Sequence, residues 1–382
     1  MKFAHLGDCH LGGWRHQELR DLNLQSFQLA INICIREKVD FILIAGDLFD
    51  SAYPPLNTLK ETFKEFRKIS DAKIPVFIIA GSHDYSVSGK TFLDVLEKAG
   101  FCRNIGRYEI RGDKLMLIPT IFKNVALYGY PGKKSALEVD ELNNIKLHDA
   151  PGLFKILMLH TAIRDAVPNQ AIKALDQRTL PKVDYLALGH LHINYTRPGI
   201  CYSGPIFPNN ISELEELKSG FFYIYDNGAL KKQSLIIKDV VCLNLEIKDA
   251  LSATDKIISE LEIHFLKDKI VIFRLKGILE KGKTSDINFS KIENHVKERG
   301  AFIFLKSTSQ LHMAELEIKL DLIDSENLES QIIDKFKQST PNKFNSLIND
   351  LVRSLQIEKH DDETSLTFQD RLHAESKKVL GI

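Results

Sequence analysis

The sequence predicts an α/β fold: a sandwich of two sheets flanked by helices, followed by a small α+β domain and C-terminal helices. Two observations carry this. Short apolar runs of strand length recur through the chain to about residue 225, and helical patterns separate the first of them. Five of the runs (2–6, 41–45, 76–80, 156–159 and 185–188) are closely followed by Asp or His. In open α/β sheets, ligand sites form outside the carboxyl ends of the strands.

The elements follow in order. Strand 2–6 leads into a helix over 21–36, with Leu22, Phe27, Ala30, Ile31 and Cys34 on one face. Strand 41–45 precedes a helix over 56–69, entered through Pro54-Pro55 and carrying Leu59, Phe63 and Phe66. Strand 76–80 and a helix near 89–99 come next, then short strands near 115–118, 125–129, 156–159, 185–188, 200–203 and 221–225. Asp226-Asn227-Gly228 reads as a turn closing a first domain, 1–228. A second domain, 229–323, is expected to hold strands at 234–247, 270–278, 302–305 and 314–322 and helices at 252–265 and 287–298. The remainder, 324–382, is polar and helical. Pro341 suits a first helical position with Thr340 as its cap, and Phe344, Leu347, Ile348, Leu351, Val352 and Leu355 form a narrow apolar stripe. A further helix is expected over 364–379. The stripe suits docking on another chain, and packing on this chain's own body is the competing reading.

Composition excludes some functions. Lys+Arg and Asp+Glu are both 51 of the 382 residues, so the net charge is zero and gives no global attraction to nucleic acid; any such binding must be local or metal-mediated. The five cysteines are scattered without a CxxC pair, as in reduced cytoplasmic proteins. The chain enters a strand at Lys2 without a signal-peptide pattern, and no apolar run is long enough to span a membrane.

The chemistry lies in the strand-end clusters: Asp8-Cys9-His10, Gly46-Asp47-Leu48-Phe49-Asp50, Gly81-Ser82-His83-Asp84, the single His160, and Gly189-His190-Leu191-His192. Carboxylate and imidazole together suit borderline-hard divalent ions such as Mn²⁺ or Fe²⁺. In Asp-x-His, alternate residues of an extended segment face the same side, so Asp8 and His10 can meet one ion while Cys9 faces the core. Asp47 is the natural bridging ligand, and Gly46 and Gly81 allow tight turns past the cluster. Any one cluster alone is as well explained by a cap or a satisfied polar residue. All five in this order point to two cations about 3.5–4 Å apart, a clamp for a phosphoryl group. The remaining histidines, His5 among them, read as surface or packing residues.

The order DxH, GDxxD, GxHD, H, GHxH resembles the calcineurin-like metallophosphoesterase superfamily. Within it, the chain is similar to the nuclease of double-strand-break repair, the meiotic-recombination-eleven family with its bacterial SbcD relatives. The closer likeness rests on Asp8-Cys9-His10-Leu11-Gly12, Gly46 to Asp50, Leu188 to His192 and Tyr202-Ser203-Gly204-Pro205, and it covers residues 1 to about 225. The resemblance implies that Asp8, His10, Asp47 and His192 hold one metal, and Asp47, His160 and His190 a second. It makes His83 the general acid and Asp50 the residue that orients it. Ser82 stands where the family has an Asn ligand, a shorter and poorer donor to the second metal. The implied activity is Mn²⁺-dependent 3′→5′ exonuclease on duplex DNA with single-strand endonuclease, in a nucleoid-associated cytoplasmic homodimer. Its implied partners are DNA ends and an SMC-like coiled-coil ABC ATPase bound by the C-terminal helices. Arg15, His16, Arg20, Lys133 and Lys134 are candidate DNA contacts, and Leu59, Phe63, Phe66, Leu93 and Leu96 candidates for a dimer seam; surface charge and ordinary core are the competing readings. The competing functions are a generic metallophosphodiesterase and a non-catalytic DNA-end tether, the latter favoured by Ser82.

Overall fold

The computed structural model describes residues 1–85, 91–112, 114–313, 333, 337, 342, 344–358, 360, 363 and 365–381. Met1–Gly277 with Lys281–Leu311 forms one compact unit, and Ile278–Glu280 with His312–Ile382 a second.

Strands are numbered along the chain. β1 (Lys2–Leu6), β2 (Phe41–Ala45), β3 (Val76–Ile79), β4 (Arg103–Asn104), β14 (Gly220–Asp226) and β15 (Ala229–Leu235) form a sheet in the order β15-β14-β1-β2-β3-β4. β7 (Thr120–Phe122), β8 (Val125–Tyr130), β10 (Phe154–His160), β11 (Tyr185–Gly189), β12 (Thr196–Arg197) and β13 (Ile200–Tyr202) form a second, ordered β12-β13-β11-β10-β8-β7. The ligand-bearing strands β1, β2 and β3 run parallel to one another, as do β10 and β11. Parallel neighbours need crossovers, supplied in the first sheet by α1 (Gln17–Arg36), α2 (Leu56–Asp71) and α3 (Phe92–Lys98).

The central strands β1, β2, β3, β10 and β11 are covered on both faces, which is why they read as nearly unbroken apolar runs. On β2, Phe41, Leu43 and Ala45 face the second sheet, packing with Phe77, Ile79, Ile156, Met158 and Ala187. Ile42 and Ile44 face the opposite way, toward Phe27, Ile31, Phe66 and Ile69 of α1 and α2. Leu59, Phe66, Leu93 and Leu96 belong to this same core, and Phe63 packs against it, so they are not an exposed seam. The apolar side chains that α2 and α3 expose are Leu56 and Val95, with Tyr53 just ahead of α2. β5 (Tyr108–Arg111), β6 (Lys114–Leu117) and β9 (Ile145–Leu147) form a small third sheet beside α4 (Glu138–Leu142).

The turn at 226–228 does not end the first sheet. Asn227 (φ 48°) and Gly228 (φ 98°) are both left-handed, and Asp226 pairs with Ala229, a two-residue hairpin. The boundary expected at 228 therefore falls inside this sheet, and the single strand expected over 234–247 is two, β15 and β16 (Val240–Glu246). β16 forms a further sheet with β17 (Ile270–Leu279) and β18 (Ile303–Met313), alongside α6 (Ala250–Glu262) and α7 (Phe289–Glu298). The strand expected over 314–322, the boundary at 323/324, Thr340 and Pro341 lie outside the described residues.

In the second unit, Ile348–Leu355 and Ser365–Leu380 are helices. The apolar stripe is not one continuous helix: Leu347 closes a 3₁₀ turn, and only Ile348, Leu351, Val352 and Leu355 are α-helical. Phe344 and Leu355 are exposed, and the other four are half-buried.

Candidate metal centre

The carboxyl ends of five parallel strands from two stacked sheets meet at one edge, and each delivers its cluster there. β1 leads to Asp8 and His10, β2 to Asp47 and Asp50, β3 to Ser82, His83 and Asp84, β10 ends on His160, and β11 leads to His190 and His192. Asp8, His10, Asp47 and His160 are almost completely buried.

Asp47 sits at the centre. Its Oδ1 accepts the backbone N–H of His83 at 2.7 Å. Its Oδ2 is therefore the oxygen that faces the cluster, with His160 Nε2 at 3.1 Å, Ser82 Oγ at 3.4 Å and His10 Nε2 at 3.7 Å. His10 Nε2 and His192 Nε2 are 3.1 Å apart, and Asp8 Oδ1 lies 4.0 Å from His192 Nε2 and 3.8 Å from His160 Nδ1. The His190 ring lies 5.2 Å from that of His160, centroid to centroid. Asp8, His10 and His192 present donor atoms within 4.8 Å of one another, and so do Asp8, Asp47 and His160.

A divalent ion fits these residues. Asp8 Oδ2 is buried with no hydrogen-bond partner, and such a group costs about 1–3 kcal/mol if left uncompensated. The donors are carboxylate oxygens and imidazole nitrogens, the set that borderline-hard cations take. Four residues of the cluster, Asp8, His10, Asp47 and His190, have positive φ (48°, 42°, 50° and 92°), a strained conformation for non-glycine residues that the surrounding structure has to hold.

The charges respond to one another. Burial disfavours the Asp47 carboxylate, but the His160 and His10 imidazoles hold it well below its usual range. Burial likewise opposes a charge on His160, yet Asp47 and Asp8 push it up to about 10. His190 is pulled down to about 4 by burial and by the neighbouring His160 charge. Without a cation, the Asp47–His160 pair keeps a proton where an ion would otherwise sit.

His83 is the exception to burial: its side chain is 46% exposed, at the rim of the cluster. Its Nδ1 approaches the backbone carbonyl of Asp50 at 2.8 Å, and the Asp50 carboxylate is farther, at 3.7 Å. That carboxylate instead meets His10 Nδ1 at 3.1 Å and Asn209 Nδ2 at 3.3 Å. Asp50 thus orients His83 through its main chain and His10 through its side chain, a division the sequence does not reveal.

Two further carboxylates have roles that the sequence did not assign. Asp84 is buried and accepts the N–H groups of Leu48, Phe49 and Gly81 at 3.0–3.1 Å, pinning the β2 loop to the β3 loop. Burial and the charge of Asp47 raise it to about 6. Its presence in the Gly81-to-Asp84 cluster was the available signal. Glu213 reaches His192 Nδ1 at 2.9 Å; its only sequence signal, three residues after Asn210, marks a helix start and says nothing of a metal. Gly81 is needed for space rather than for turning: a Cβ there would lie 2.2 Å from Asp47 Oδ1.

The candidate DNA contacts divide. Arg15, His16 and Lys134 are exposed. Arg20 is held by Gln17 Oε1 and the Trp14 carbonyl, and Lys133 by Glu141 at 2.6 Å over the Tyr130 ring. His5 is a packing residue, fully buried beside the Tyr185 hydroxyl at 3.0 Å. Among the described residues, no helix is long and apolar enough to cross a membrane.

Comparison with known proteins agrees with this geometry. Three archaeal proteins named DNA double-strand break repair protein Mre11 are similar along much of the chain. That of Methanocaldococcus jannaschii is 27% identical over 318 residues, covering 78% of each chain. That of Methanosarcina mazei is 22% identical over 381 residues, covering 95% of this chain and 59% of its own. That of Archaeoglobus fulgidus is 23% identical over 378 residues, covering 87% and 83%. The calcineurin-like phosphoesterase family model matches residues 1–194, half of the chain and the stretch that supplies every Asp and His of the cluster. By fold, by site and by this match, the chain belongs to the calcineurin-like phosphoesterase family.

Proposed function

We propose that this protein is a Mn²⁺-dependent DNA nuclease that processes double-strand-break ends, cutting duplex DNA 3′→5′ and single strands internally. The observation that carries the reading is a half-exposed imidazole, His83, at the rim of a buried ring of metal donors. The names of the similar archaeal proteins support DNA as the substrate.

Asp8, His10, Asp47 and His192 would hold one ion, and Asp47, Ser82, His160 and His190 the other. When bound, two such ions activate water and offset the negative charge that develops at phosphorus. Around them the chain's own residues set the protons. His10 Nδ1, hydrogen-bonded to Asp50, leaves its Nε2 lone pair for the centre. His83 Nδ1 donates to the Asp50 carbonyl, so the ring acts as general acid only as the imidazolium, whose Nε2–H would pass to the leaving 3′ oxygen and leave the neutral Nδ1–H tautomer. Exposed Arg15, His16 and Lys134 are suited to backbone phosphates.

The partner is an SMC-like ABC ATPase, docked on the stripe Phe344, Leu347, Ile348, Leu351, Val352 and Leu355. The active form is a homodimer that pairs through the face carrying Tyr53, Leu56 and Val95, and it works on DNA in the cytoplasm. The domains behind this scheme are a nuclease domain, a module built on β16 to β18, and the helical tail.

Digestion of end-labelled duplex DNA by the purified protein in Mn²⁺ tests the reading. The wild type should shorten strands from the 3′ end, and His83→Ala should not. Ser82 favours a second reading, a DNA-end tether without cleavage, because its hydroxyl is a weak donor to the second metal. Binding of DNA ends without cutting at any Mn²⁺ concentration would put that reading first.

A further inference from the structure

Helix α5 (Ile211–Leu217) faces the metal centre on one side and the β16–β18 sheet on the other. Toward the centre, Glu213 Oε1 accepts from His192 Nδ1 at 2.9 Å, and both side chains are largely shielded from solvent. Glu213 Oε2 accepts the Asn209 backbone N–H at 2.7 Å, and the Asn209 side chain donates to Asp50 Oδ1, the oxygen that also meets His10. Toward the sheet, Leu214 is fully buried in one apolar cluster with Ile270 and Ile272 of β17 and Leu305 of β18. Arg274 of β17 grips Glu215, with Nε 3.1 Å from Oε1 and a second contact to Oε2, and its side chain also reaches Ser212. Lys218, at the end of the helix, places Nζ 2.7 Å from Cys242 Sγ of β16.

We infer that Glu213 is a positioning residue that fixes His192 as a metal ligand, and that α5 ties Glu213 to the β16–β18 sheet. The inference rests on the reading of His192 as a ligand. A neutral imidazole ligates through one nitrogen only if its proton sits on the other; a carboxylate on Nδ1 fixes that tautomer and the ring orientation. The carboxylate also serves the helix start, with Oε1 accepting from Asn210 Nδ2 at 2.5 Å, but Asn210 caps the helix through its own oxygen by accepting the Glu213 N–H at 3.0 Å, so Glu213→Gln keeps that cap. A helix of seven residues does not hold itself together in water. Its position is therefore set by what it packs on: β17 and β18 on the sheet side, together with Trp14 and with Leu19 and Leu22 of α1. Residues 213, 214 and 215 join the His192 ring to the sheet through one rigid turn.

Calorimetric titration of the metal-free full chain with Mn²⁺ tests this, using Glu213→Ala, Glu213→Gln, Arg274→Ala, the Glu213→Ala/Arg274→Ala double variant and His192→Ala. Glu213→Ala should weaken one Mn²⁺ equivalent by about 10–100-fold and spare the other. Phosphodiester hydrolysis by this variant should recover at saturating Mn²⁺. Glu213→Gln, which keeps an oxygen acceptor on Nδ1, should fall between it and the wild type. Arg274 touches no ligand, yet Arg274→Ala should weaken the same equivalent several-fold, and the double variant should bind no more weakly than Glu213→Ala alone. Unchanged Mn²⁺ affinity in Glu213→Ala and Glu213→Gln, with one equivalent lost in His192→Ala, would overturn the positioning role alone. An absent effect of Arg274→Ala, or one that adds in full to Glu213→Ala, would overturn the tie to the sheet. If His192→Ala itself retains both equivalents, the ligand reading falls and this inference falls with it.

Discussion

His160 holds a proton that a metal ion has to displace. Beside Asp47 and Asp8 its imidazole is raised from 6.5 to about 10, so at neutral pH the metal-free centre is protonated. Mn²⁺ affinity should therefore rise as pH rises from 6 toward 10, by up to about tenfold per unit. Titrations in two buffers of different ionisation enthalpy should show proton release, and a pH-independent affinity would contradict it. The sign for folding is the reverse. A raised imidazole contributes stability that is fully present below 6.5 and lost as pH climbs through about 10. Ser82→Asn, which places an amide oxygen beside Asp47, should lower the Mn²⁺ concentration needed for half-maximal hydrolysis; dose–response curves of the two proteins decide this. The residues of the cluster were legible because each closes a contiguous strand-plus-cluster motif. Glu213 was not, because it lies 21 residues from His192 and meets it only through the fold. The division of Asp50 between His83 and His10 was equally hidden, since it depends on which oxygen, main-chain or side-chain, faces which ring.

At the scale of elements, the loops after β2 and β3 hold the centre by contact with each other. Asp84→Ala would leave the N–H groups of Leu48, Phe49 and Gly81 without their acceptor, at about 1–3 kcal/mol for each donor that finds no water. Thermal unfolding should register this as a Tm lower by several degrees, and an unchanged Tm would count against the clasp. Gly81→Ala acts differently. Its Cβ would fall 2.3 Å from the Asp47 backbone nitrogen, which cannot rotate away as a side-chain tip can. Circular dichroism should show an intact fold while Mn²⁺ binding is lost. The central strands of both sheets were readable as apolar runs because helices or a second sheet cover each face, whereas the edge strands β4, β7, β12 and β15 are short or polar and carry no such run. The hairpin at 226–229 was misread as a boundary, because Asn-Gly marks a chain reversal whether the chain leaves the sheet or returns to it.

For the whole molecule, α2 and α3 bury the residues that looked like a seam and expose others. Leu56 is 82% exposed and Tyr53 70%, large apolar surfaces for a face that contacts only water. If that face pairs two chains, Leu56→Glu should convert a dimer to a monomer in sedimentation, and a dimer unaffected by the change would move the interface elsewhere. On the proposed reading, five strand ends build one centre that would hold two ions, with Asp47 contributing to both. Equilibrium dialysis of the metal-free chain against Mn²⁺, beside Asp47→Asn, tests it most directly. Two equivalents bound by the wild type, both weakened in the variant, is the expected result. A wild type that binds none, or a variant that binds as the wild type does, would contradict it.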